Sequence, residues 1–378
     1  MARLTCVSGI NGKLPAAFLL ETAGARLLLD LGEGPEPGVL PDLTGVGEVD
    51  AILISHAHQD HCGGLDLAAR LGNPPVHATA TTFRLIEAEY GAGFIPGDRR
   101  RLLPESGPAT VCGVPLTLGR SGHAPGGVWI HADAAGGILY TGDWSRESTL
   151  LPFDSPPPAR VLVTDASYGD LDEPLADQIE HIAREASSGA VLPVPAGGRG
   201  PEVALALEAR GLAPRPCPRL VAELRDIADG RVAGVSARIA RAAARLADAT
   251  AGRTDDWHPS DVIVAAGSNA ETGLPADLLA RIGEGFRFIF SSHVPKGTPA
   301  HDLLRTDRAR WFAWNVHPCL SDTLALARET GAEHVLPVFA ARETMTGLCT
   351  ALGERLVLDP VLDLGPSRPA ERTGSRAS

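Results

Sequence analysis

Lysine is nearly missing from this chain: Lys13 and Lys296 are the two in 378 residues, so almost all of the positive charge is arginine. Aromatic residues are also scarce, at 4%. The formal net charge is −12 and the sequence pI is near 5.5, so the overall field does not draw in nucleic acid, and a polyanion would need a local basic groove. The densest cationic run, Arg99-Arg100-Arg101, reads as a solvated turn. The six cysteines are scattered with no Cys-x-x-Cys pair. That excludes a disulfide framework and a structural zinc finger, and it suits a reducing cytoplasm. No run of about 18 apolar residues is found, and the opening Met-Ala-Arg-Leu-Thr-Cys-Val has no charged segment leading into an apolar core. Neither a membrane span nor an export signal is expected.

What is present is enough apolar material, 44% of residues, for proper cores, and room for two domains at roughly 150 residues each. Strands are expected over residues 3–8, 16–21 and 26–32, with Asn11-Gly12 as a turn between the first two. A short helix is expected over 65–71, a strand over 76–79 with His77 in a structural role, and a helix over 81–90.

The chemistry concentrates in Ala51-Ile-Leu-Ile-Ser-His56-Ala-His58-Gln-Asp60-His61-Cys-Gly-Gly64. His56 and His58, two residues apart just past a strand end, can turn their imidazoles onto one ion. Asp60 and His61 reach the other side. Zinc favours imidazole nitrogen and carboxylate oxygen, and a mixed set this crowded suits two neighbouring ions. The glycines at 63 and 64 let the chain turn away.

This His-x-His-x-Asp-His sextet, after an apolar strand and before Gly-Gly, resembles the signature of the metallo-β-lactamase superfamily. The resemblance implies an α/β fold, an αββα sandwich with its metals at one sheet edge. It assigns His123, in Gly122-His123-Ala-Pro-Gly126, as the third histidine of the first site beside His56 and His58. It makes Asp143, at the end of Gly137-Ile-Leu-Tyr-Thr-Gly-Asp143, the bridging carboxylate, and gives Asp60 and His61 to the second site. Asp30 closes a buried strand, where an unpaired carboxylate is costly; the resemblance has it support a metal-ligating histidine from behind.

The second half resembles the β-CASP branch, whose members process nucleic acids. Val161-Leu-Val-Thr-Asp165-Ala-Ser-Tyr-Gly matches its first motif, and Gly189-Ala-Val-Leu-Pro-Val-Pro-Ala-Gly-Gly-Arg199-Gly-Pro-Glu202 matches the start of its inserted cassette. Val262-Ile-Val-Ala-Ala-Gly-Ser and Phe288-Ile-Phe-Ser-Ser-His-Val-Pro-Lys-Gly-Thr298 match the closing strands, with His293 in a structural turn. The Ala/Arg-rich stretch 232–251 reads as a helix with a solvated face. Trp314-Asn-Val-His317 occupies the second motif, which implies a catalytic dyad in which Asp165 fixes the tautomer of His317 and keeps a proton available for the leaving oxygen. Asp60, Asp165 and His317 are thus the expected catalytic residues.

At the third motif, 22 residues after His317, RNA-cutting relatives carry a histidine and this chain carries Phe339. The DNA-processing members also have an apolar residue there. Zinc is the expected cofactor, one ion firmly bound and the second weakened by Phe339, since a phenyl ring is no ligand. His334, five residues earlier, falls on the opposite face of the strand and is a poor substitute.

The expected domains are 1–175 and 311–365 for the sandwich, 176–310 for the cassette, and a disordered tail over 366–378. The expected function is a zinc-dependent phosphodiesterase acting on RNA or single-stranded nucleic acid in the cytoplasm. A small-molecule ester, amide or phosphodiester is the alternative substrate, and a non-catalytic scaffold a third reading, disfavoured by the six retained ligands. No membrane partner is expected, and homo-oligomers are compatible with the pattern.

Overall fold

In the computed structural model, residues 1–36, 38–195, 197–250, 256–291 and 293–365 are described; the expected tail at 366–378 lies outside them. Side chains alternate in where they bury, and that alternation builds two stacked sheets. Along Arg26–Leu29, Leu27 and Leu29 enter the space between the sheets while Leu28 faces outward. Leu53 and Ile52 repeat the pattern, and on the facing sheet Val161 and Val163 point in while Leu162 points out. A period of two gives each strand one inner and one outer face. Each such side chain contributes about 1.5–3 kcal/mol on burial.

The first sheet has seven strands, in the order Val361–Leu364, Ala2–Ser8, Ala17–Glu21, Arg26–Leu29, Ala51–Leu53, Val76–Thr79 and Arg100–Leu103. The second has six, in the order His334–Val338, Val161–Asp165, Ile138–Tyr140, Val128–Ala132, Val114–Arg120 and Gly107–Val111. On the outer face of the first lie the 3₁₀ segment Gly63–Leu71 and the helix Ala80–Tyr90, which bury Leu65, Leu71, Phe83 and Ile86. Helices Leu320–Glu329 and Thr346–Leu352 cover the second through Leu326 and Leu348. The result is the expected αββα sandwich.

Strands Val161–Asp165 and His334–Val338 are parallel neighbours, with Asp165 opposite Val338, yet a whole α/β unit is inserted between them. Its five strands, Pro214–Pro216, Val262–Ala266, Ala190–Val194, Phe288–Phe290 and Ala309–Trp311, are all parallel. Such a sheet needs cover on both faces. Helices supply it; Leu175–Ala186, for example, buries Leu175, Ile179, Ile182 and Ala186 at helical spacing. The cassette sheet closes on Ala309–Trp311, so the return point expected at 311 falls within its last strand. The Ala/Arg-rich stretch forms the helix Ala237–Thr250. Among the described residues no helix is long and apolar enough to cross a membrane.

Candidate metal centre

The site lies past the carboxyl ends of strands from both sheets, where short loops bring side chains together. The sextet loop contains the short helix Gln59–Cys62 and docks by its backbone on the segment after the third strand. Leu31 N donates to His61 O at 3.0 Å, Glu33 N to Gln59 O at 2.9 Å and Ala16 N to Asp60 O at 2.8 Å. Glycine permits this approach. A Cβ on Gly32 would stand 1.8 Å from the Asp60 carbonyl oxygen, and one on Gly64 2.6 Å from the Gly32 oxygen.

One ligand atom each from His56, His58, His123 and Asp143 lie within 4.8 Å of one another. His56 Nε2 is 3.1 Å from His58 Nδ1, and His123 Nε2 is 3.0 Å from the same atom. Asp143 Oδ2 is 3.5 Å from His123 Nε2 and 3.9 Å from His56 Nε2. Burial holds His56 and His123 well below the usual imidazole range and brings His58 down to about 4, so all three are neutral at physiological pH. Neutral imidazole is the metal-binding form. The outer nitrogens are fixed from behind: His123 Nδ1 donates to the Val316 carbonyl at 2.6 Å, and His56 Nδ1 meets Ser55 Oγ at 3.0 Å.

A second group comprises Asp60, His61 and Asp143. Asp30, wholly buried, accepts from Ser55 N at 2.6 Å, Ser55 Oγ at 2.7 Å and Tyr140 OH at 2.5 Å, and lies 2.7 Å from His61 Nδ1. This aims His61 Nε2 at Asp143 Oδ1, 3.1 Å away. The two atoms, both buried, face each other as an ion pair. Burial pushes the Asp143 carboxyl up, but His61, His317 and Lys13 outweigh it and hold it well below the carboxylate range. Burial likewise opposes charge on His61, and Asp143 and Asp30 reverse this and raise it well above the usual imidazole value.

Phe339 follows the strand His334–Val338 in a left-handed conformation, φ 67°, with its N–H donating to Gly9 O at 2.7 Å. That backbone is rare for a bulky residue and is held here by its surroundings. The ring meets His61 edge-on at 5.2 Å. His334 begins the same strand, opposite Val161; five residues of strand put it roughly 16 Å off. Lys13 reaches in from the first turn: its Nζ is 3.5 Å from Asp60 Oδ2, 3.0 Å from Ser167 Oγ and 5.4 Å from the centre of the Phe339 ring.

Beside these groups Asp165 Oδ2 sits 2.7 Å from His317 Nδ1, and Asp165 Oδ1 accepts from Ser167 N at 2.8 Å. His317 Nδ1 is also 3.6 Å from Asp143 Oδ2, which joins the pair to the ligand cluster. Tyr168 stands edge-on to His317 at 5.0 Å and donates its hydroxyl to Trp314 O at 2.6 Å. Next to His58, His123 and Val316 a small pocket is lined by Pro195, Gly197 and Arg199 of the cassette.

The structure therefore gathers Asp30, His56, His58, Asp60, His61, His123, Asp143, Asp165 and His317 at one place, and leaves His293 exposed, 4.0 Å from Glu36. Sequence reasoning missed Ser55, Tyr140, Lys13 and the Val316 carbonyl. Ser55 directly precedes His56, and Lys13 is one of the two lysines in the chain, which were the available signals.

Residues 11–180 match the family model described as Metallo-beta-lactamase superfamily. The chain is 31% identical over 255 residues, 60% of its length, to "Ribonuclease TTHA0252" of Thermus thermophilus and spans 58% of that protein. It is 27% identical over 249 residues, 54% of its length, to "Transcription termination factor FttA" of Methanosarcina mazei, covering 39% of it. It is also 27% identical over 230 residues, 51% of its length, to "Cleavage and polyadenylation specificity factor 73" of Drosophila melanogaster, covering 34% of it. The fold matches a solved protein of unknown function from Enterococcus faecalis with a TM-score of 0.57 at 13% identity, over 90% of this chain and 94% of that one.

Proposed function

We propose that the chain is a metallo-β-lactamase-type protein carrying the inserted cassette of the β-CASP branch, and that it is a zinc-dependent hydrolase cleaving phosphodiester bonds of RNA. The observation that carries this reading is the junction of the two ligand groups with the Asp165–His317 pair at Asp143. Its similarity to proteins named as a ribonuclease and a cleavage factor supports RNA as the substrate.

In this reading His56, His58, His123 and Asp143 hold the firmly bound ion, and Asp60, His61 and Asp143 form the weaker position. Nitrogen and carboxylate donors without a cysteine suit zinc. When bound, such an ion supplies a nucleophile at neutral pH and positive charge against the reacting phosphate. The protein's part is orientation and proton transfer. Asp165 accepts from His317 Nδ1, which leaves Nε2 to hand its proton to the departing sugar oxygen. Asp30 locks His61, and the Val316 carbonyl locks His123. The free state of all six cysteines agrees with a cytoplasmic setting. The chain divides, in this reading, into sandwich segments 1–175 and 311–365 around the cassette 176–310.

A hydrolase of a small ester, amide or phosphodiester is the second reading, favoured by the net charge of −12. The test is cleavage of labelled single-stranded RNA and DNA by zinc-loaded protein, with His58→Ala as the blank. Cutting of RNA that vanishes in the blank is expected. Zinc retained with neither polymer cut, and no binding of either at low salt, would replace the first reading by the second.

A further inference from the structure

We propose that the Lys13 ammonium stands in for a second metal ion, so that the centre is built for one divalent ion and one ammonium. The inference rests on reading the His56, His58, His123 and Asp143 group as a metal site. Two features of the Asp60, His61 and Asp143 position point to it, and they come from opposite ends of the chain. Phe339 sets an aromatic ring, which has no donor atom, edge-on to His61 at that position. Lys13 brings its Nζ to 3.5 Å from Asp60 Oδ2, the one carboxylate of that group that the first group does not share.

The two residues suit each other. A phenyl ring offers zinc no donor atom, but its face attracts an ammonium, and Lys13 Nζ lies 5.4 Å from the Phe339 ring centre. Ser167 Oγ accepts from Nζ at 3.0 Å, and Ser167 N is itself tied to Asp165, so the ammonium is anchored to the dyad side of the centre as well. The chain turns in at the preceding residues, with Asn11 in the left-handed region at φ 61°. In a chain with two lysines, one is placed against the Asp60 carboxylate of this cluster.

The ammonium and a second dication would compete for Asp60. An ion held by Asp60, His61 and Asp143 would sit against a positive charge already paired with Asp60, and the two repel in a site this buried. The ammonium, a compact point charge with three donors, can offset the carboxylates and present an N–H to a phosphate oxygen. It cannot supply a second Lewis acid. The substrate consequence is a centre that neutralises one charge fewer than a two-ion site and relies on His317 for the leaving group.

The experiment is zinc content per full-length chain, measured by plasma mass spectrometry after equilibration with excess zinc and removal of free metal, for three proteins. Wild type is expected to hold one ion. Phe339→His, which adds a ligand but keeps the ammonium, is expected to stay at one. Phe339→His with Lys13→Met is expected to take two. Cobalt substitution gives an independent reading, since a second equivalent adds its own visible absorption. Two ions in the wild type, two in Phe339→His alone, or one in the double variant would each overturn the inference. No ion in the wild type would instead overturn the metal reading on which it rests. The wild-type and single-variant counts decide the matter even if the double variant does not fold.

Discussion

Asp165 Oδ2 and His317 Nδ1 lie 2.7 Å apart although 152 positions of chain, including the whole cassette, separate them. Asp165 is wholly buried, whereas the His317 side chain keeps 12% of its surface exposed. The cassette therefore returns the chain so that His317 lands beside Asp143. His317→Ala should lower kcat about 10²–10⁴-fold, the usual worth of a positioned acid. Zinc content should be unchanged. Asp165→Asn should act in the same direction, because a neutral amide no longer stabilises the doubly protonated imidazole that donates from Nε2. Single-turnover cleavage with parallel zinc analysis checks this, and loss of zinc in His317→Ala would contradict the assignment.

Asp30 is the hub behind the second ligand group, with Ser55, Tyr140 and His61 all bonded to it. Asp30→Ala leaves three buried partners without their acceptor. It should cost about 3–5 kcal/mol of stability, as expected for breaking a buried charged network. It should also weaken zinc about 10–100-fold, the usual effect of removing an outer partner of a ligand. Urea unfolding and competition with a chromophoric chelator measure the two effects separately. A variant as stable as wild type would show that the network is not what holds His61.

Gly32 is a packing position, not a hinge, since a Cβ there would stand 1.8 Å from the Asp60 carbonyl oxygen. Gly32→Ala must push the sextet loop away. A loss of about 1–3 kcal/mol is expected, the range for overfilling a packed site, together with reduced zinc retention. Thermal melting and zinc content should fall together, and retention of full zinc occupancy would show that the loop does not depend on this contact.

The metal-free protein should lose stability as pH falls below 6.5. The unfolded chain protonates His58 near the ordinary 6.5, while burial holds the folded residue down to about 4, so the unfolded state binds more protons across that window. His56 and His123, also lowered by burial, add in the same direction. His61 is raised, so its contribution is complete below the ordinary value and does not cancel the decline. The loss attributable to His58 is up to about 3 kcal/mol, from a difference of roughly 2.5 pH units. Urea midpoints of metal-free wild type and His58→Gln over pH 4–7.5 test it. The variant should show the shallower decline, and parallel curves would refute the assignment.

The sequence by itself determined the αββα class and the sextet, because zinc-type donors crowded into six residues after an apolar strand have few other uses. Counting from His317 also reaches Phe339 at the position where the resemblance leads one to expect a histidine. The strand signals held because alternation is local, and the edges moved by a residue where turns and pairing set them: the strand expected over 3–8 runs Ala2–Ser8, and the one expected from 16 begins at Ala17. Only the tertiary structure decided what surrounds these residues. Tyr140 reaches Asp30 across 110 positions and Lys13 reaches Ser167 across 154. Which side chains meet at such separations depends on sheet order and on the stacking of one sheet on the other. A linear pattern carries the chemistry of a ligand set, whereas its charge partners are chosen by packing.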